Sequence, residues 1–133
     1  EIKMNEKKYI ISGKVVRGDG YGRKIGFPTL NLEIKVAYTE ATPPYMLPDG
    51  VYTGIAVIEG EEPRTRASSV RGRYRAGIVI GPGGKIEAHL IGYNGDAYGK
   101  QVTLEIKKFL REYKKFNTEA ELIIQIEEDL KKC

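Results

Sequence analysis

The sequence predicts one small, mainly β domain in which short strands close into a barrel and a single helix follows at the C-terminus. The chain has 133 residues, 41% hydrophobic and 30% charged, which suits one globular domain with its own core. Its 16 glycines end at Gly99, and the apolar residues of the last segment, from Thr118 on, have helical spacing. Short strands with glycine corners need their edges closed, which favours a barrel. We therefore treat residues 1–133 as one domain.

Five segments before the helix are strand candidates, because they are rich in β-branched residues or alternate in polarity. They are Tyr9–Val16, Val51–Ile58, Tyr74–Ile80, Lys85–Tyr93 and Gln101–Ile106. The fourth alternates clearly, with Ile86 and Ala88 on one side and Glu87 and His89 on the other. Residues 37–47 and 61–73 are expected to be flexible insertions.

The C-terminal segment Thr118–Leu130 predicts an amphipathic helix. Its apolar residues fall on one helical face: Leu122, Ile123, Ile126 and Leu130. Thr118 and Glu121 form a capping-box pattern at the start, and two lysines lie at the end, where the helix dipole favours cations.

Composition excludes several classes of protein. One cysteine, Cys133, and one histidine, His89, rule out an internal disulfide, cysteine-cluster metal sites and multi-histidine zinc sites. No apolar run is long enough for a membrane span, and we read no signal peptide at the N-terminus. The single cysteine favours a reducing, cytoplasmic location. A net charge of +4 suits an anionic ligand. The arginine cluster between Arg64 and Arg75 is either a solvated loop or an anion-binding one.

The glycine-rich stretch from Gly18 to Gly26 predicts a phosphate-binding loop. Glycines let the backbone approach a ligand closely and turn successive N–H groups towards an anion. Cationic side chains lie in the same stretch, so the candidate phosphate-binding residues are Gly18, Gly20, Gly22, Arg23 and Lys24. The spacing does not fit a Walker A motif. A glycine-rich barrel corner is the alternative.

Thr29 and Asn31 follow Phe27 and Pro28 and point the same way on an extended segment. A hydroxyl and an amide oxygen side by side suit a hard cation such as Mg²⁺, which shares its ligands with phosphate oxygens. The pair therefore predicts a site for metal and phosphate, unless it simply closes a turn.

The ordered motifs of this chain resemble those of the ATP-dependent riboflavin kinase (flavokinase) family, also found as the C-terminal module of bacterial bifunctional FAD synthetases. The core of the resemblance is G-K-V-V-R-G-D-G-Y-G-R-K-I-G-F-P-T-L-N-L, residues 13–32. Further matches are residues 47–52, 86–90, 96–100, 109–111 and 115–116. Leu30 stands where the family usually has alanine.

The resemblance implies a six-stranded Greek-key β-barrel with a C-terminal helix, and transfer of the ATP γ-phosphoryl group to the 5′-hydroxyl of riboflavin. By position, residues 18–24 would cover the nucleotide phosphates, Thr29 and Asn31 would hold Mg²⁺ and phosphate, and Glu87 would be the catalytic base. Arg111 would lie near the flavin ring. By alternation alone, Glu87 could instead be a solvent-facing strand residue. The implied partners are riboflavin and ATP. We expect no nucleic acid or membrane partner, and we expect a monomer.

The chain departs from the family between its middle strands. Where the family commonly has Asn-x-Gly-x-(Arg/Asn)-Pro-Thr, this sequence keeps Ile80 and Gly81 but continues Pro-Gly-Gly up to Lys85. Two alternatives therefore stay open: a flavin-binding barrel without catalysis, and an RNA-binding module using Gly81 to Gly84 as a GxxG loop.

Overall fold

Six strands form a closed antiparallel barrel in the computed structural model, which describes residues 9–18, 20–39, 47–60 and 72–133. The strands are β1 (Tyr9–Val16), β2 (Leu30–Thr39), β3 (Gly50–Ile58), β4 (Arg73–Ile80), β5 (Ile86–Leu90) and β6 (Gln101–Arg111). Around the barrel they lie in the order β1-β2-β5-β4-β3-β6. Because β3, β4 and β5 pair consecutively and β6 returns beside β3, the connection is a Greek key. The predicted fold class is confirmed.

Two helices accompany the barrel: α1 (Tyr21–Lys24), a single turn between β1 and β2, and α2 (Glu119–Lys131) at the C-terminus. The predicted cap of α2 is present, since the backbone N–H of Glu121 donates to the Thr118 hydroxyl at 3.2 Å. Among the described residues, neither helix has the length and apolar character to cross a membrane.

Every second residue of a strand faces inward, and these side chains fill the interior of the barrel. In β4, β5 and β6 these buried residues are Ala76, Ile78, Ile80, Ile86, Ala88, Leu90, Val102, Leu104 and Ile106. The alternation predicted for β5 is therefore confirmed: its apolar side chains face the core, and Glu87 and His89 face outward, half-buried.

Tyr52 anchors the turn that precedes β3 to the strand itself. Its side chain is fully buried and its hydroxyl donates to the carbonyl oxygen of Pro48 at 2.5 Å. Burial, with a smaller contribution from the Asp49 carboxylate, raises the pKa of Tyr52 to about 12. The phenol therefore stays protonated and keeps donating well above its ordinary titration range.

Two expectations about the connections were wrong. Strand β2 was not among the five candidates, and residues 37–39, assigned to a flexible insertion, belong to it. Strand β5 ends at Leu90 rather than Tyr93, because Gly92 at φ 84° turns the chain and the Tyr93 N–H donates back to the Leu90 carbonyl. Residues 40–46 and 61–71, including Arg64, Arg66 and Arg71, lie outside the described residues.

Candidate functional site

Two cavities open on the outside of the barrel and meet at Gly22 and Thr29, which line both. The first, of about 260 Å³, lies between the glycine-rich segment, the start of β2 and residues 95–98. The second, of about 330 Å³, lies between β5, the end of β6 and α2. The first brings together Gly18, Gly20, Gly22, Arg23, Thr29 and Asn31, and the second contains Glu87 and Arg111. The exposed Lys24 is not among the residues lining either cavity.

The glycine segment folds tightly against the start of β2. A Cβ atom on Gly18 would lie 2.2 Å from the Asn31 amide nitrogen, and one on Gly22 would lie 2.5 Å from the Phe27 carbonyl oxygen. The Phe27 N–H also donates to the Gly22 carbonyl at 2.7 Å. These two glycines are therefore required by close approach, and the segment is held directly over Thr29 and Asn31.

Asn31 carries a buried oxygen, Oδ1, that finds no hydrogen-bond partner among the described residues. An unpartnered buried acceptor is costly unless a ligand satisfies it. Because Asn31 lines the first cavity beside Thr29, a cation with a phosphate group fits this place. No cluster of three or more His, Cys, Asp or Glu side chains suited to a metal occurs within the described ranges.

Glu87 lies on the second cavity, opposite Asn31 in the β2–β5 ladder. The Thr29 hydroxyl is 3.5 Å from Glu87 Oε1, at the outer limit of a hydrogen bond. The carboxylate is thus held only loosely and lies where the two cavities join. A hydroxyl group entering from the second cavity could reach Glu87 while a phosphate lies against Thr29.

Arg111 lines the second cavity, but its guanidinium is already paired. Its Nε donates to both carboxylate oxygens of Asp129 at 3.1 and 3.2 Å, and its Nη2 donates to Oδ2 at 2.9 Å. The side-chain amide of Gln125 also donates to Asp129, at 2.9 Å, and Arg111 Nη1 donates to the Glu112 carbonyl. The pair joins the end of β6 to α2, so Arg111 shapes the wall of the cavity through Asp129.

Sequence reasoning missed Asp129, the one buried charged side chain among the described residues. Its position carries a signal, since it follows Ile126 by three residues on the apolar stripe of α2. Sequence reasoning also missed the stacking of the Arg17 guanidinium on Tyr98, 4.3 Å from the ring centre, at the edge of the first cavity. Burial and the Asp129 carboxylate raise the pKa of the Cys133 thiol, so this cysteine is not an activated nucleophile.

The family model for riboflavin kinase (flavokinase) matches residues 5–133. The bifunctional riboflavin kinase/FMN adenylyltransferase of Escherichia coli K12 is 32% identical over 121 residues, covering 91% of this chain and 36% of the relative. The RNA-binding riboflavin kinase RibR of Bacillus subtilis is 29% identical over 125 residues, covering 91% of this chain and 48% of the relative. The chain therefore spans between about a third and a half of the length of these relatives.

Two solved structures are similar to this barrel. A Streptococcus pneumoniae chain described as a macrolide-efflux protein aligns with a TM-score of 0.71 at 29% identity, covering 92% of this chain and 37% of that one. The riboflavin kinase of Trypanosoma brucei aligns with a TM-score of 0.66 at 20% identity, covering 98% of this chain and 79% of that one. The second likeness bears on the fold alone.

Proposed function

The chain belongs to the riboflavin kinase family, and from this premise we propose that it transfers the γ-phosphoryl group of ATP to the 5′-hydroxyl of riboflavin, giving FMN and ADP. The observation that carries the proposal is the junction of two cavities at Thr29, with Glu87 3.5 Å from the Thr29 hydroxyl. Phosphoryl transfer requires the phosphate and the attacking hydroxyl to be held side by side, because its catalysis is mainly positioning and charge stabilisation. The junction of the two cavities provides such a place.

The first cavity is the proposed nucleotide side. Gly18, Gly20 and Gly22 bring the backbone close to the phosphates, and Arg23 supplies a positive charge beside them. Lys24 lies at the same turn but points to solvent, so its proposed contribution is a longer-range attraction. Thr29 and Asn31 would hold Mg²⁺, and the unpartnered Asn31 oxygen is the ligand atom that fits it best. Bound there, Mg²⁺ would neutralise charge on the transferring phosphate.

The second cavity is the proposed flavin side. Apolar side chains from α2 and from two connecting segments line it, and they include Ile25, Phe27, Phe116, Leu122 and Ile126. An aromatic ring system suits such a wall, with Arg111 at its edge. The ribityl chain would then extend towards Glu87, at the junction with the nucleotide side.

Glu87 is the proposed general base. Its carboxylate accepts the proton of the riboflavin 5′-hydroxyl while that oxygen forms a bond to the γ-phosphorus, and the bond from this phosphorus to the bridging oxygen of ADP breaks. The proton ends on Glu87 and the electron pair leaves with ADP. We further propose that the protein works as a monomer, and the use of ATP favours a cytoplasmic location.

The test is to incubate the protein with riboflavin, Mg²⁺ and each of ATP, CTP and GTP, and to separate riboflavin from FMN by chromatography. FMN formed with ATP supports the proposal. Quenched riboflavin fluorescence without FMN formation would favour a flavin-binding barrel that lacks catalysis. The absence of both would overturn the proposal and direct attention to RNA.

The RNA alternative rests on Gly81 to Gly84, and the name of the RibR relative gives it a second argument. In this chain Pro82–Gly84 form a short 3₁₀ turn that leads into strand β5, whereas a GxxG clamp needs a following helix. This geometry favours the kinase reading over an RNA clamp at this loop.

Replacing Glu87 by Gln removes the base but keeps the size of the side chain. We expect riboflavin binding to be retained and turnover to fall by roughly 10²-fold or more, as for loss of a general base. Glu128→Gln is the matched control, since it neutralises an exposed carboxylate on α2. Equal turnover in the Glu87 and Glu128 variants would remove Glu87 from the mechanism.

A further inference from the structure

His89 makes a hydrogen bond just beyond the point where the β2–β5 ladder stops. The two strands pair Leu32 with Ile86, Asn31 with Glu87 and Leu30 with Ala88, and no further. In the same register, the next residue of β5 is His89 and the next residue of the other chain segment is Thr29. Pro28 has no N–H to extend the ladder. Instead, His89 Nδ1 lies 2.7 Å from the Pro28 carbonyl oxygen.

We propose that His89 is a positioning residue for Thr29, an inference that rests on the proposed phosphoryl transfer. The Pro28 carbonyl belongs to the same peptide plane as the Thr29 nitrogen, so a hydrogen bond to this oxygen fixes the plane from which the Thr29 side chain projects. The Phe27 ring meets the His89 ring edge to face, with centroids 6.0 Å apart. His89 thereby replaces a missing ladder bond with a side-chain bond.

The bond from His89 to Pro28 sets the distance between Thr29, on the nucleotide side, and Glu87, on the flavin side. Glu87 and His89 lie two residues apart on the outer face of one strand, so they move together. Through Pro28, His89 ties Thr29 to this same strand, and Thr29 lies 3.5 Å from Glu87. Without the tie, this segment would be held to β5 by the ring contact of Phe27 and the long hydrogen bond of Thr29, until the ladder begins at Leu30. Reactions that depend on positioning lose up to about 10²-fold when a group shifts by about 1 Å.

The bond also fixes the tautomer of the imidazole. A carbonyl oxygen only accepts, so Nδ1 must carry a proton in both the neutral and the charged ring. In the neutral ring, Nε2 then carries the lone pair. His89 is the only histidine in the sequence, so its ring nitrogens can be identified in a spectrum without assignment of the rest of the chain.

The first experiment uses two variants that separate the donor from the ring. His89→Asn keeps an N–H donor close to the position of Nδ1 but removes the ring, and His89→Phe keeps the ring contact with Phe27 but removes the donor. We expect His89→Phe to lose about 10-fold or more in kcat, and His89→Asn to recover most of that loss. Thermal unfolding of both variants identifies any general loss of stability. Equal activity in the two variants, or a fully active His89→Phe, would overturn the proposal.

The second experiment does not depend on activity. A long-range ¹H–¹⁵N correlation spectrum of untagged, ¹⁵N-labelled protein, recorded along an alkaline pH series until the imidazole signals no longer change, reports which ring nitrogen bears the proton. Protonated Nδ1 supports the proposal, and protonated Nε2 overturns it. If wild-type protein forms no FMN but shows protonated Nδ1, the proposed function fails while the bond from His89 to Pro28 stands, so the two failures are distinguishable.

Discussion

Neutralising Asp129 should destabilise the protein far more than neutralising its neighbour Glu128. Asp129 is only 6% exposed and accepts three charge-assisted hydrogen bonds from Arg111, with a further one from Gln125. In Asp129→Asn, an amide N–H₂ group replaces one acceptor oxygen and faces these donors. The charge of Arg111 is then left without its partner.

The magnitude follows from the burial of the two side chains. Breaking a fully buried ion pair costs about 3–5 kcal/mol. The Arg111 side chain is 23% exposed, so water can partly solvate its charge when the carboxylate is lost. We therefore expect a loss of about 2–3 kcal/mol in the free energy of unfolding. For a domain of this size that corresponds to a fall in Tm of about 10 °C.

Glu128→Gln is the matched control because it removes the same charge from the adjacent residue of α2. Its partner is Lys131 at 3.4 Å, and both side chains are more than half exposed, so we expect a change within about 0.5 kcal/mol. Urea unfolding and calorimetry measure both variants. Equal changes in the two would refute the view that the pair of Arg111 and Asp129 holds α2 on the barrel.

The same variant tests what α2 does for ligand binding. The helix lines the second cavity through Leu122, Ile126 and Leu130, whereas no residue of α2 lines the first. Below its Tm, Asp129→Asn should therefore raise the KM for riboflavin by more than the KM for ATP. A larger effect on ATP would contradict the assignment of the two cavities.

Three further predictions follow from single contacts. Asn31→Ala should weaken nucleotide binding most at low Mg²⁺, measured by calorimetry over a magnesium series; an affinity that matches wild type throughout would contradict the metal role. Gly18→Ala should lower activity because its Cβ would lie 2.2 Å from the Asn31 amide, and unchanged kinetics would show that this side chain can move freely. Tyr52 has its pKa raised to about 12, so folding favours the protonated phenol, and the stability it contributes is present below about pH 10 and lost between about pH 10 and 12. Urea unfolding should therefore show the advantage of wild type over Tyr52→Phe shrinking across that range, and a constant difference would contradict the raised pKa.

The barrel could be predicted from the sequence because its strands alternate and its turns contain glycine. Strand β2 is not among the sequence candidates although Leu30, Leu32, Ile34 and Val36 alternate, because the ligand pattern of Thr29 and Asn31 overlaps its start. The helix and its cap could be predicted, since a capping box is a local signal. The extension of β6 beyond Ile106 to Arg111 could not be predicted, because it depends on pairing with β3.

Some contacts of the candidate site join residues that are close in sequence, and others join residues that are far apart; only the first kind could be predicted. The glycine segment and the pair of Thr29 and Asn31 are contiguous in sequence, so their proximity could be predicted. The salt bridge between Arg111 and Asp129 spans 18 residues and depends on where α2 packs, which no local pattern specifies. The bond between His89 and Pro28 spans 61 residues and depends on the register of two strands.

That register links the fold to the proposed chemistry. Leu32 pairs with Ile86 on the inner face, so the intervening pair, Asn31 with Glu87, must lie on the outer face. A slip of one residue would turn either the amide or the carboxylate into the core and expose an apolar side chain in its place. Burial of the apolar residues therefore excludes a one-residue slip, and in the observed register the groups for phosphate and for the hydroxyl proton are neighbours. The hydrophobic core thus helps to place the groups of a site that lies on the outer face of the barrel.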